Sequence, residues 1–282
     1  MAERKVSVWW YVGGAAAVVA FLTRSQLARV AGMVIDKAKI PLFKAVIPDA
    51  AGPYAETILD EAGKAGIDPF VVVALGDRET KWGTAPSYKG QTGDFAARCW
   101  SKDQIDKFGP ARLRVGAACS GGFLVTPYDG LGWGRGLMQI DFGSEADWLF
   151  ANDWRDPATN IRKGISILQQ KMRELSSTGY LSSSVSGDGY VHVSDAVAAL
   201  LTKNSDYDVP AGDYADPRPF TGSDLFVASL AAYNAGSVGV IRAVATMGMD
   251  GVDAVTTNNY SSDVSNMIAS LTAAFQAQVG TA

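Results

Sequence analysis

From Pro53 onward, apolar residues recur at intervals of three and four along one stretch after another, a spacing that dictates amphipathic helices packed on one another. Asp68-Pro69 carries the N-cap and first-turn chemistry of a helix start, and Phe70, Val73, Ala74 and Asp77 follow at helical spacing toward Gly83. Glu79 is therefore expected in the last turn of a mostly apolar helix. Asp156-Pro157 repeats the start signal ahead of a stripe of Ile161, Ile165, Leu168 and Met172 that ends near Leu175. Ser223-Asp224 caps another helix over Leu225 to Ala232, and a further one follows Asn234-Ala235-Gly236 to about Met247. The last runs from Ser262 to Gln278, with Val264, Ile268, Leu271 and Phe275 on one face. No internal repeat and no strong strand alternation interrupts the pattern, so the expected fold class is mainly α.

Two stretches break the helical reading and are expected as long loop insertions: residues 84–130, rich in Gly and aromatics, and residues 176–222, rich in Ser, Asp, Gly and Pro. Loops this long are uncommon unless functional or disordered, so they are candidate substrate walls or contacts for viral or envelope protein partners. Upstream, Pro53 follows Ala-Gly and opens a new pattern, which places a domain boundary near residues 48–53. The expected organisation is an anchor over 1–24, a stem with an amphipathic helix over 25–52, and a catalytic domain over 53–282.

The anchor reading rests on the uncharged run from Val6 to Leu22 between Lys5 and Arg24, just long enough at about 1.5 Å per residue to span a hydrocarbon layer. Trp9, Trp10 and Tyr11 near one end suit the headgroup boundary. A cleavable secretory signal is the rival. It is disfavoured because small-x-small sites such as Ala15-Ala16-Ala17 lie inside the run rather than after it. Arg24, Arg29, Lys37 and Lys39 on the C-terminal side pull against an exported domain, a tension that eases if the membrane is a virion's. The expected location is single-pass and membrane-anchored through the N-terminal run.

Charge and residue usage remove several chemistries. A formal net charge of -4 and a pI near 5.1 provide no broad basic surface for phosphates, which argues against nucleic acid as a partner. His192 is the single histidine and sits in a polar Gly-Asp-Gly-Tyr-Val stretch, which removes Ser-His-Asp and multi-histidine metal catalysis. Cys99 and Cys119 form no Cys-x-x-Cys pair, so no structural zinc site is expected. They are a disulfide or two buried free thiols depending on compartment; a bridge would contribute roughly 3 kcal/mol by restricting the unfolded chain. The alternating glycines Gly130, Gly132, Gly134 and Gly136 lack the strand-loop-helix context and lysine of a phosphate-binding loop. No metal or organic cofactor is expected, and the chemistry falls to carboxylates.

Three segments occur in a definite order: Gly76-Asp77-Arg78-Glu79-Thr80, Gly136-Leu137-Met138-Gln139-Ile140-Asp141, and Ala232-Tyr233-Asn234-Ala235-Gly236. Together they resemble the goose-type lysozymes and the related soluble lytic transglycosylases, with Gly132-Trp133-Gly134, Asn160-Ile161, Gly164, Leu168 and Tyr260 as supporting matches. The likeness spans about residues 53–279 and departs from the family at Thr80, where Ser is commoner, and in the long insertions. It implies a lysozyme-like helical domain that cuts the β-1,4 bond between N-acetylmuramic acid and N-acetylglucosamine in peptidoglycan glycan strands. It further implies Glu79 as general acid, Thr80 and the Gly136-Leu137-Met138-Gln139 turn as cleft lining, and Tyr233 and Asn234 facing the acid to orient it and hold an N-acetyl group.

The residues support the same assignment. Glycoside cleavage needs a carboxyl group still protonated near neutral pH, and a glutamate following Val71-Val72-Val73-Ala74-Leu75 is placed for an apolar pocket that raises its pKa. Asp141 and, more loosely, Asp129 resemble the water-holding aspartates of goose-type lysozymes. Were either to stand about 6.5–9.5 Å from Glu79 with water between, inverting hydrolysis would follow. Were neither to reach it, Glu79 would act first as acid and then as base on the substrate's own 6-hydroxyl, giving an anhydro product. The aspartates as surface or capping groups, Gln139 as a plain turn residue, and Asn234 and Gly236 as helix-stop signals are the structural alternatives. Trp82, Trp100, Trp133, Trp148 and Trp154 stack on sugars or fill the core, with core the default for at least half. Two other function classes remain open: a non-catalytic peptidoglycan-docking or virion protein, and an endopeptidase on the same scaffold.

Overall fold

The computed structural model describes residues 39–87, 92–177, 220, 222–247 and 249–280. The Val6–Leu22 run, residues 25–38 of the expected stem, His192 and nearly all of the 176–222 insertion lie outside the described residues. In chain order the elements are α1 (Ile40–Val46), α2 (Ala55–Ala65), α3 (Pro69–Thr80), β1 (Thr92–Gly93), β2 (Arg98–Trp100), α4 (Lys102–Phe108), β3 (Leu113–Cys119) and β4 (Gly122–Pro127). There follow β5 (Gly134–Arg135), β6 (Ile140–Asp141), α5 (Phe142–Ala151), α6 (Pro157–Ser177), α7 (Gly222–Ala235), α8 (Ser237–Met247) and α9 (Tyr260–Val279). The described chain is mainly helical, and among the described residues no helix is long and apolar enough to cross a membrane.

The core is organised around α3. Asp68 caps it by accepting a hydrogen bond from the Phe70 N–H at 2.9 Å, and Pro69 occupies the first turn, where no donor is needed. The β-branched run Val71–Val73 is a poor intrinsic helix former, yet every residue from Pro69 to Asp77 is buried. Packing on all sides therefore overrides propensity. α2 and α9 flank α3, α7 packs against α9, and α6 bridges α2 and α7. Glu61 on α2, 4% exposed, accepts both arms of Arg162 on α6 at 2.7 Å and ties those two helices.

The fold departs from the sequence expectation at two places. Residues 40–52 do not lie apart as a stem: Phe43 and Ala51 are fully buried, and the Phe43 ring stands 5.3 Å from Phe70, itself 5.6 Å from Phe275 on α9. The helical body thus begins before Pro53, because α1 is needed to cover one end of α3 and α9. Nor is the 84–130 stretch a plain loop. It holds a three-stranded antiparallel sheet in the order β2-β4-β3 and the helix α4, which opens with a reciprocal capping box between Ser101 and Gln104. Cys99 on β2 is disulfide-bonded to Cys119 at the end of β3, with Cα atoms 6.1 Å apart, so the bridge closes the sheet across its central strand. A second small sheet, β1-β5-β6, carries the hairpin that matters most for the site.

Candidate active site

The C-terminal end of α3 is shaped by Trp82. Its indole folds back over the helix, donates from Nε1 to the Val73 carbonyl at 3.1 Å and stacks on Tyr54 with ring centroids 5.5 Å apart. That placement needs a bare backbone at position 76, since a Cβ on Gly76 would lie 2.5 Å from the indole ring. Lys81 and Trp82 both take left-handed backbone conformations, φ 50° and 53°, to make the turn. Two consecutive non-glycine residues there are costly, and packed surroundings hold them in place. The helix consequently stops just after Thr80, leaving Arg78 and Glu79 on the partly open side of an otherwise buried helix.

Facing this end is the tip of the β5–β6 hairpin, residues 136–139, closed by the pairs Gly134–Asp141 and Arg135–Ile140. Three helices hold that tip by its backbone. Thr80 on α3, fully buried, donates its hydroxyl to the Leu137 carbonyl at 2.9 Å, and Tyr233 on α7 donates to the Met138 carbonyl at 2.9 Å. Asn160 on α6, also fully buried, accepts from the Met138 N–H at 2.9 Å and donates to the Arg135 carbonyl at 3.2 Å. The three segments singled out in the sequence are thereby joined through hydrogen bonds. Leu137 and Met138 are 0% exposed, so their side chains belong to the core and cannot line a substrate groove. Gln139, φ 46°, turns its amide back to donate to the Gly136 carbonyl at 2.9 Å.

Glu79 sits where these pieces meet. Its Oε1 accepts a 2.5 Å hydrogen bond from the Tyr260 hydroxyl at the first turn of α9. Burial pushes the Glu79 carboxyl up to about 7, against the opposing pull of that hydrogen bond and of the adjacent Arg78 charge. Burial, followed by the charge of Glu79, pushes the phenols of both Tyr233 and Tyr260 well up, so each remains a proton-bearing donor. A carboxyl balanced in this way can give up a proton and take one back near neutral pH. Tyr260, rather than Tyr233, is the direct partner of the acid. In the sequence, its place ahead of the last helix marks it only as a supporting match.

Arg78 reaches the other way. Its guanidinium donates to the Thr257 and Asn258 carbonyls at 2.7 and 3.1 Å and lies 5.3 Å from the centre of the Tyr260 ring. Asn234 is exposed and accepts from the Thr257 N–H at 3.0 Å, so it braces the loop before α9.

No protein-family model and no curated protein matches this chain.

The two aspartates are engaged elsewhere. Asp129 accepts from Arg135 at 3.0 and 3.2 Å, neutralising a guanidinium that is 1% exposed, and caps the Leu131 N–H at 3.0 Å. Asp141 caps α5 through the Ser144 N–H at 2.9 Å and pairs with Arg98 at 2.8 Å. Arg98 in turn lies over Trp133, its guanidinium carbon 4.2 Å from the ring centre. Neither carboxylate bonds Glu79 or its tyrosine. Of the tryptophans, Trp82, Trp133 and Trp154 are buried, as the default reading expected, and Trp100 and Trp148 pack partly buried against the core. Among the described residues, no group of His, Cys, Asp and Glu side chains clusters to hold a metal ion.

Proposed function

We propose that this chain cuts peptidoglycan glycan strands between N-acetylmuramic acid and N-acetylglucosamine as a lytic transglycosylase, on a domain of the goose-type lysozyme kind anchored to a cell or virion membrane. The observation that carries the reading is Glu79, desolvated to a pKa of about 7 and bonded to Tyr260 at the junction of the three motif segments. Protonated Glu79 delivers its proton to the glycosidic oxygen as the bond to C1 of the muramic residue breaks. The resulting carboxylate, steadied by the Tyr260 hydroxyl, then takes the proton of that sugar's 6-hydroxyl as its oxygen bonds C1. The proton returns to Glu79, and no water is consumed. Favouring this route over inverting hydrolysis, Asp129 and Asp141 are committed to arginines and helix or turn caps, leaving Glu79 as the acid and the base in turn.

Full-length protein incubated with purified peptidoglycan is expected to release muropeptides lighter by one water than their hydrolytic counterparts, as read by mass spectrometry. Reducing-end products would mean that a water-activating group acts after all. Intact glycan with shortened cross-links would point to an endopeptidase, and sugar binding with no product to a docking protein.

Tyr260→Phe removes the hydrogen bond that favours the Glu79 carboxylate, so two effects are expected together. The alkaline limb of the pH–rate profile moves up in pH, and turnover falls about tenfold because the charged intermediate state loses a partner. A profile unchanged in position would show that Tyr260 does not tune the acid.

A further inference from the structure

Between the buried residues Val252 and Tyr260 the chain has little apolar grip: Ala254, Val255, Thr257, Asn258 and Asn259 are exposed. Yet the hydroxyl of Tyr260 must be held within 2.5 Å of Glu79. The residue at the ordinary N-cap position of α9, Asn259, makes no side-chain capping bond and has a left-handed backbone, φ 53°. The cap comes instead from Asp253, back along the chain. Its Oδ1 accepts from the Ser261 N–H at 2.9 Å and the Ser261 hydroxyl at 2.6 Å, and its Oδ2 accepts from the Ser262 N–H at 3.1 Å and from the Ser262 hydroxyl. Thr256 closes the ring: its Oγ1 accepts from the Tyr260 N–H at 3.1 Å and donates to Asp253, 2.9 Å from the carbonyl oxygen.

We infer that Asp253 is a positioning residue for Glu79: by gripping Ser261 and Ser262, which directly follow Tyr260 in the first turn of α9, it fixes where the Tyr260 hydroxyl meets the acid. A carboxylate suits this place, because the unpaired N–H groups at a helix start attract negative charge and a single aspartate serves several donors at once. Burial works to raise its pKa, but the hydrogen bonds from Ser261 and Ser262 outweigh it and hold Asp253 below the usual carboxylate range. The remaining groups around the unit are accounted for. Arg78 holds the Thr257 and Asn258 carbonyls and stands 3.6 Å from Asp263, Asn234 takes the Thr257 N–H, and Tyr233 bonds Met138. Arg78 and Asn234 thus secure the middle of the loop, and Asp253 secures the turn that carries the tyrosine.

The inference rests on Glu79 being the acid, and the test separates the two ideas. The side-chain carboxyl of Glu79 is titrated by ¹³C NMR in the full chain as wild type, Asp253→Asn, Tyr260→Phe and the double variant, with thermal unfolding recorded for each. Asp253→Asn is expected to make Glu79 titrate at higher pH, in the same direction as Tyr260→Phe, and to add nothing when Tyr260 is already Phe. Turnover falls about tenfold with KM little changed, as for loss of an interaction used in the chemical step. A Glu79 titration unmoved by Asp253→Asn despite lower thermal stability would reduce Asp253 to a structural cap and overturn the inference. A shift that adds fully to that of Tyr260→Phe would do the same. If Asp253→Asn does not fold, Ser262→Ala removes one exposed donor from the same carboxylate and carries the comparison, with a smaller shift in the same direction expected. A wild-type protein that cuts no glycan would defeat the catalytic reading while the titrations still decide the role of Asp253.

Discussion

Glu79→Gln is expected to lower the rate of glycan cleavage by about 10²–10⁴-fold, the usual loss when a positioned general acid is removed, while making the folded protein more stable at pH 8. The second half follows from the sign of the shift. Burial raises the folded-state pKa of Glu79 from 4.5 to about 7, so folding favours the protonated form. Wild-type stability from this group is complete below about pH 4.5 and is lost as pH rises through 7. The charged, desolvated carboxylate then costs on the order of 3 kcal/mol. Glutamine never ionises, and its carbonyl still accepts from Tyr260. Melting curves should therefore place the variant above wild type at pH 8 and show that gain vanishing at pH 4. Equal cleavage by the two proteins, or no pH dependence in their stability difference, would remove Glu79 from the role assigned to it.

Gly136→Ala should be among the most damaging small substitutions in the described chain. Gly136 has φ 74°, and an added Cβ would fall 1.9 Å from the Asn160 side-chain nitrogen. Asn160 is fully buried and cannot give way without abandoning the Met138 N–H and the Arg135 carbonyl. Leaving such groups unsatisfied, together with the left-handed strain of alanine, costs roughly 3 kcal/mol or more. The same displacement moves the Leu137 and Met138 carbonyls that Thr80 and Tyr233 hold, so activity falls along with stability. Urea unfolding checks the first effect: a variant within about 0.5 kcal/mol of wild type would mean that the hairpin tip is not pinned as described.

How much of this the sequence discloses depends on whether each signal is local. Asp68-Pro69 and Asp156-Pro157 announce their helices because the cap and the first turn are adjacent residues, and α3 and α6 begin at Pro69 and Pro157 as read. The last helix begins at Tyr260, ahead of the expected Ser262, because its cap is Asp253 and lies several residues upstream. Ser101 and Gln104 carry a local capping box, but the Gly-rich and aromatic stretch around them masks the short helix it starts. The longest strand beside it, β3, is exposed along most of its length and so shows no alternation, and pairing and the disulfide define the sheet more than any period does. At the site, Glu79 is legible from the apolar run before it and from the order of the motifs. The commitments of Asp129 and Asp141 are not, since Arg98 reaches Asp141 from β2, far back in the chain, and Arg135 turns back onto Asp129 only in the folded hairpin. The burial of Leu137 and Met138 is hidden for the same reason: a motif that looks like a binding surface works here through its backbone.

Every catalytic step proposed for Glu79 depends on the fold keeping that carboxyl neutral beside Tyr260. Site-resolved ¹³C titration of Glu79 in the wild-type chain tests this with no substrate present. A midpoint near 7 is the result the structure predicts, and a midpoint near 4.5, the ordinary value for a glutamate, would contradict it.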